Sequence, residues 1–299
     1  MRSLAVTTLA LAAIGPLCAQ DKAGDKTPLP PLVWDADVRR HVAATMVVRG
    51  VVRVDAAAID AAQQKGGHVA VAVEVQEMVH GPDRRTVPFR VYVPEAGKPR
   101  PDTHPTPDEL KALDGKDRIL FLVTVEGENY PVGDDGMAIV EPVRDVLARL
   151  KQREVLHRRL LREPLALDRE RKAKVAEFLG KVARDADHQR QAFVDLEGLG
   201  AAALAEIVAA MNDRRQLPVR ELLLANKAAD AFEARRIYAP KRVVDGIAAV
   251  LNQVTGESFG SLYNGARDEE RDFCVRAWTI YAHYMADQAR RDGKADAKR

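Results

Sequence analysis

The stretch HVAVAVEVQEMV, residues 68–79, decides how the first half of the chain folds. Val69, Val71, Val73 and Val75 fall on one side of an extended backbone, and Ala70, Ala72, Glu74 and Gln76 on the other. A period of two marks a β-strand with one buried face. The segment TVPFRVYV, residues 86–93, repeats the pattern with Val87, Phe89, Val91 and Val93 on one face. Upstream, TMVVRGVVRV at 45–54 is β-branched and broken by Gly50, which predicts a bulge or strong coiling. Downstream, RILFLVTV at 118–125 is almost continuously apolar and predicts a central strand. Residues 129–140 hold Gly133, Asp134, Asp135 and Gly136, a turn between two short strands. The proline-rich connection at 94–116 predicts a surface loop with one helical turn near 108–113. Five or six strands with no helix pattern between them predict an antiparallel barrel or sandwich.

After Pro142 the period changes. Val143, Val146, Leu147 and Leu150 are spaced as one face of a helix. The same spacing returns at Val175–Val182, Leu204–Met211 and Val244–Val254, and a last helix from Asp268 carries Cys274, Trp278, Tyr281 and Met285 on one stripe. Asp168 reads as an N-cap, and Gly200 and Gly256 as helix stops. The predicted fold class is a two-part α+β chain. An all-β, OB-like barrel covers residues 33–141, all-α helical hairpins cover 142–292, and residues 293–299 form a disordered tail.

The order VVRGVVRV, VAVEVQEMVHG, a third strand, a loop, ILFLV and the turn ENYPVGDDG resembles the OB-like barrel of netrin-type and metalloprotease-inhibitor modules. Those inhibitors chelate the protease metal through an N-terminal cysteine. No cysteine lies between residues 20 and 141, so that mechanism does not carry over. The segment LEGLGAAALAEIVAAM, followed by PVRELLLAN, resembles HEAT-like helical repeats, which bury a core by stacking. The end of the chain, including IAAVLNQVTGESFG, resembles C-terminal helical segments of exported bacterial proteins of unassigned role.

The chain starts with one positive charge at Arg2, followed by a small and apolar run to Leu17 that ends at Asp21 and Lys22. This is the pattern of a cleaved signal peptide, residues 1–19, with Gln20 starting the mature chain and 20–32 as a polar, proline-rich linker. The run is too short to span a bilayer. Cys18 raises a lipoprotein alternative, but Leu17 and Pro16 in front of it do not form a lipobox. The expected address is the periplasm or the exterior, without an integral membrane segment after cleavage and without a nucleic-acid partner. Hydrophobic content of 46% and charged content of 30% fit a folded protein. Cys274 is the one cysteine left after cleavage, so no intramolecular disulfide is expected. Charge is uneven: residues 21–141 hold 15 Lys/Arg against 20 Asp/Glu, and 142–299 hold 30 against 24.

Gly256-Glu257-Ser258-Phe259-Gly260 matches the nucleophile-elbow pattern, and Asp268 and His283 could complete a triad. An elbow needs a strand before its serine, and residues 245–255 have a helical period instead. The seven histidines show no pair spaced to place two imidazoles on one helical face, so no metal and no cofactor are expected. Asp134 and Asp135 are explained by turn chemistry, because a calcium site needs six or more oxygens. The basic residues Lys151, Arg153, Arg158, Arg159 and Arg162 read as a solvated helix face, and Phe273, Trp278, Tyr281 and Tyr284 as core. The leading expectation is a non-enzymatic exported module that binds a protein or an envelope component. A serine hydrolase using Ser258 and a purely structural envelope protein are the alternatives.

Overall fold

The computed structural model describes residues 29–98, 105–132, 138–225 and 235–296. Residues Leu32–Arg299 form one compact unit. The signal segment, Cys18 and the Asp134–Asp135 turn lie outside the described residues.

Six strands form an antiparallel sheet: β1 (Met46–Val54), β2 (Gly67–His80), β3 (Thr86–Val93), β4 (Asp117–Val125), β5 (Glu128–Pro131) and β6 (Ile139–Val140). Their order is β3-β2-β1-β4-β5, with β6 beside β4. The period-two reading is realised: Val69, Val71 and Val73 are buried on β2, as are Val87, Phe89, Val91 and Val93 on β3. The β1–β2 register shifts at Gly50, as the sequence predicts. A Cβ there would stand 2.1 Å from the backbone oxygen of Glu74, so only glycine fits the bulge.

Backbone pairing does not close the sheet, so the antiparallel sheet is present but a closed barrel is not. The edge strands β3 and β5 meet through side chains rather than a backbone ladder. Asn129 Nδ2 donates to the Pro88 carbonyl at 2.8 Å, and Arg90 pairs with Glu128 at 3.0 Å. That carbonyl shows which side of Pro88 faces β5. The N–H of the same residue would point the same way, and proline has none.

The first half is also not all-β. Among the described residues three helices interrupt it: α1 (Ala36–Ala43), α2 (Ala56–Lys65) and α3 (Pro107–Lys111). Asp55 caps α2 by accepting from the Ala57 and Ala58 amides, and Gly66 ends it at positive φ. Thr106 and Glu109 form a capping box on α3. Ile59 and Leu110 from α2 and α3 join Val48, Val71 and Phe89 in the core on one face of the sheet. On the other face Val47, Ile119 and Phe121 pack with Leu150. Cover on both faces explains the continuous apolar run of β4.

The second half holds α4 (Arg144–Leu160), α5 (Arg169–Lys181), α6 (Ala186–Gly198), α7 (Leu204–Ala209), α8 (Val243–Thr255) and α9 (Asp268–Asp296). It also holds a hairpin of β7 (Leu222–Ala225) and β8 (Arg235–Tyr238), where the sequence suggested a helical piece. Leu222 and Leu224 are buried while Leu223 between them is exposed, so the run alternates as a strand does. Helix α8 is the centre, with every residue from Val243 to Leu251 buried. Gly256 stops it in the left-handed conformation. Among the described residues no helix is long and apolar enough to cross a membrane.

Candidate functional site

Helix α4 places Glu154 and His157 three residues apart, hence on one face. Both are buried, although each carries a polar head. They meet side chains from three other elements. His41, at the end of α1, brings Nε2 to 3.2 Å from one carboxylate oxygen of Glu154. His80, the last residue of β2, brings Nδ1 to 3.2 Å from the other. Arg276 of α9 reaches Glu154 at 3.3 Å, and Arg158 at 2.9 Å. His157 Nε2 lies 3.2 Å from the Tyr284 hydroxyl, also on α9.

The electrostatics follow from this packing. Burial opposes the charged form of Glu154, but hydrogen bonds from His41, His80 and Arg158 outweigh it and hold the carboxyl well below its usual range. Burial pushes His157 down to about 2, reinforced by His41 and the Arg276 cation. His41 is also lowered by burial, against the pull of Glu154. Burial raises the Tyr284 hydroxyl to about 12. The array thus sets an ionised carboxylate beside the neutral imidazoles of His41 and His157. The Nδ1 atoms of both His41 and His157 are buried with no hydrogen-bond partner among the described residues. Each such orphan costs roughly 1–3 kcal/mol, so the arrangement needs an explanation beyond stability.

A cleft of about 540 Å³ lies against this array, between the sheet and the first turns of α9. His80 and Arg276 belong both to the array and to the cleft wall. On the sheet side stand His80, Arg84, Thr124 and Asn129. The Thr124 hydroxyl donates to Asn129 at 2.9 Å and exchanges a 3.0 Å contact with Thr45. On the helix side stand Glu269, Glu270 and Asp272. Glu270 is committed to Arg267 at 3.3 Å and to the Glu126 amide at 2.7 Å, and Asp272 to Arg214 at 2.7 Å. Arg84 and Glu269 form no ion pair among the described residues, so the lining holds one uncommitted basic group and one uncommitted acidic group.

The residues of the nucleophile-elbow match do not converge. Ser258 lies in the loop after α8, a helix rather than a strand. Asp268 opens α9 and is paired with Arg242 and Arg271, each at 3.0 Å. His283 sits fifteen residues further along the same helix, about 22 Å at 1.5 Å per residue. No triad forms over that span. The loop has a structural task instead: Glu257 accepts from the Trp34 indole at 3.1 Å and from Arg39 at 2.7 Å. Trp278, Tyr281 and Tyr284 are core, as expected, while Phe273 lines the cleft.

Spacing among the histidines could not reveal the array, because His41, His80 and His157 come from three elements. A legible signal was present in Glu154-Val155-Leu156-His157, a carboxylate and an imidazole at helical i, i+3 spacing. No protein-family model matches the chain, and no curated protein or solved structure shows significant similarity to it. The fold and site on their own define an α+β protein with a mixed-charge cleft over a buried histidine–carboxylate array.

Proposed function

We propose that this is an exported, non-enzymatic binding protein whose cleft takes a zwitterionic ligand of the peptide chain-end type. The observation that carries the reading is that Arg84 and Glu269, neither in an ion pair among the described residues, both line one cleft of about 540 Å³. A carboxylate suits the wall of Arg84 and His80, and an ammonium group suits the wall of Glu269. Hydroxyl and amide groups at Thr124 and Asn129 offer orientation, and Phe273 offers an apolar contact. A short peptide fits both expected partner classes, a protein terminus and an envelope component. Export rests on the signal pattern of residues 1–19, and the OB-like and HEAT-like kinships rest on the order of elements.

The test is a titration of short unblocked peptides into the full chain, followed by calorimetry. Binding is expected to weaken about tenfold in Arg84→Ala and in Glu269→Ala, the scale of one lost charge pair of about 1.4 kcal/mol. Both side chains are exposed, so both variants should fold. Equal binding by blocked and unblocked peptides would falsify the reading.

A further inference from the structure

We propose that His41, Glu154 and His157 form a binding site for one divalent transition-metal ion. The ligand atoms of the three residues lie within 4.8 Å of one another, and all three residues are buried. Two imidazoles and one carboxylate are a donor set for borderline ions such as Zn²⁺ or Fe²⁺. The independent observation is the orphaned Nδ1 of His157, which has no hydrogen-bond partner among the described residues. Both imidazoles show no relative exposure; His157 has its other nitrogen engaged with Tyr284, and His41 faces Glu154 through Nε2, the nitrogen that would ligate in place of that hydrogen bond. A ligating imidazole commonly has its second nitrogen held by a carboxylate or another polar group. The second nitrogen of His157 already has that partner in Tyr284. His80, on the far oxygen of Glu154, orients the carboxylate from outside the triad.

Position in the fold supports the assignment. The ligands come from α1 and α4, and α9 closes over them with Arg276 and Tyr284. A bound ion would therefore pin α1 to α4, whose ligating residues His41 and Glu154 lie 113 positions apart, and binding would be coupled to stability. The entry path runs through the cleft, since His80 and Arg276 line it and touch Glu154. Arg158 and Arg276 already share the carboxylate, so the ion must compete with two cations. This inference does not depend on the cleft ligand, because the three ligating residues lie beneath the cleft and not in its wall.

The experiment is a titration of Zn²⁺ into chelator-treated full chain, read by calorimetry and by thermal unfolding. The expected result is one equivalent bound. The unfolding midpoint should rise by about 5 °C or more at a free ion concentration ~100-fold above the dissociation constant. His41→Gln and Glu154→Gln should each weaken binding by about 100-fold. His188→Gln, an exposed histidine on α6, should bind as the wild type does. Should a ligand variant not fold, the Zn²⁺ absorption edge of the wild-type complex decides: a spectrum with two imidazole ligands supports the site, and one without imidazole scattering overturns it. Absence of saturable binding by the wild type overturns it equally, as does equal loss in His188→Gln.

Discussion

At the scale of single residues, Gly246 shows how packing overrides propensity. It sits inside α8, where alanine would favour the helix by about 1 kcal/mol. A Cβ there would stand 2.3 Å from Cζ and 2.7 Å from Cε1 of Phe193, itself buried between helices. Overpacking of this kind costs roughly 1–3 kcal/mol. Gly246→Ala is therefore expected to lower the urea midpoint, and an unchanged or raised midpoint would show that Phe193 yields. Cys274 was legible at this scale too: its place on the apolar stripe of α9 predicted burial, and it is fully buried as a free thiol with its pKa raised by that burial. His283 carries a pH consequence. Burial lowers its pKa below the ordinary 6.5, against hydrogen bonding near Glu163 and Leu160. Below about pH 6.5 the unfolded chain takes up a proton that the folded chain resists, so this residue makes stability fall as pH drops. The wild type should lose more stability than His283→Gln between about pH 7.5 and pH 5.5 in urea titrations; equal losses would remove His283 from the account.

At the scale of elements, the strands were legible where a period of two spans whole segments, as at residues 68–79 and 86–93. Helix α2 was not, because DAAAIDAAQQK has only Ile59 as a large apolar residue and so a weak period. Its Asp55 cap and Gly66 stop were the signals available. The β7–β8 hairpin escaped because Leu222-Leu223-Leu224 reads equally well in either period. The junction of α8 with α9 depends on a buried ion pair that no periodicity reveals. Arg271 reaches both oxygens of Asp245, at 2.7 and 3.0 Å, and the same carboxylate accepts from the amides of Lys241 and Arg242 at 3.0 Å. Removing one partner of such a pair leaves the other charge buried, at a cost of about 3–5 kcal/mol. Asp245→Asn is expected to destabilise by an amount in that range in denaturant unfolding; a loss under about 1 kcal/mol would show that the pair is dispensable.

At the scale of the molecule, the sheet and helices pack into one unit from Leu32 onward. Trp34 and Arg39 fasten the start of that unit to Glu257, and Leu32 to Asp287 on α9. Sequence reading found the two kinds of secondary structure and the change of period near Pro142. It could not find the site, which exists only where the end of β2, the end of α1, the middle of α4 and the start of α9 converge. That convergence places His80 at the wall of the cleft with Glu154 behind it, and His80 is the one histidine among the lining residues. The most direct test is therefore histidine-resolved NMR during titration with an unblocked dipeptide. The ring signals of His80 are expected to shift saturably while those of His188 on the surface stay fixed. Saturable shifts confined to other histidines, or a His80 ring that does not respond, would contradict the assignment of this cleft as the ligand site.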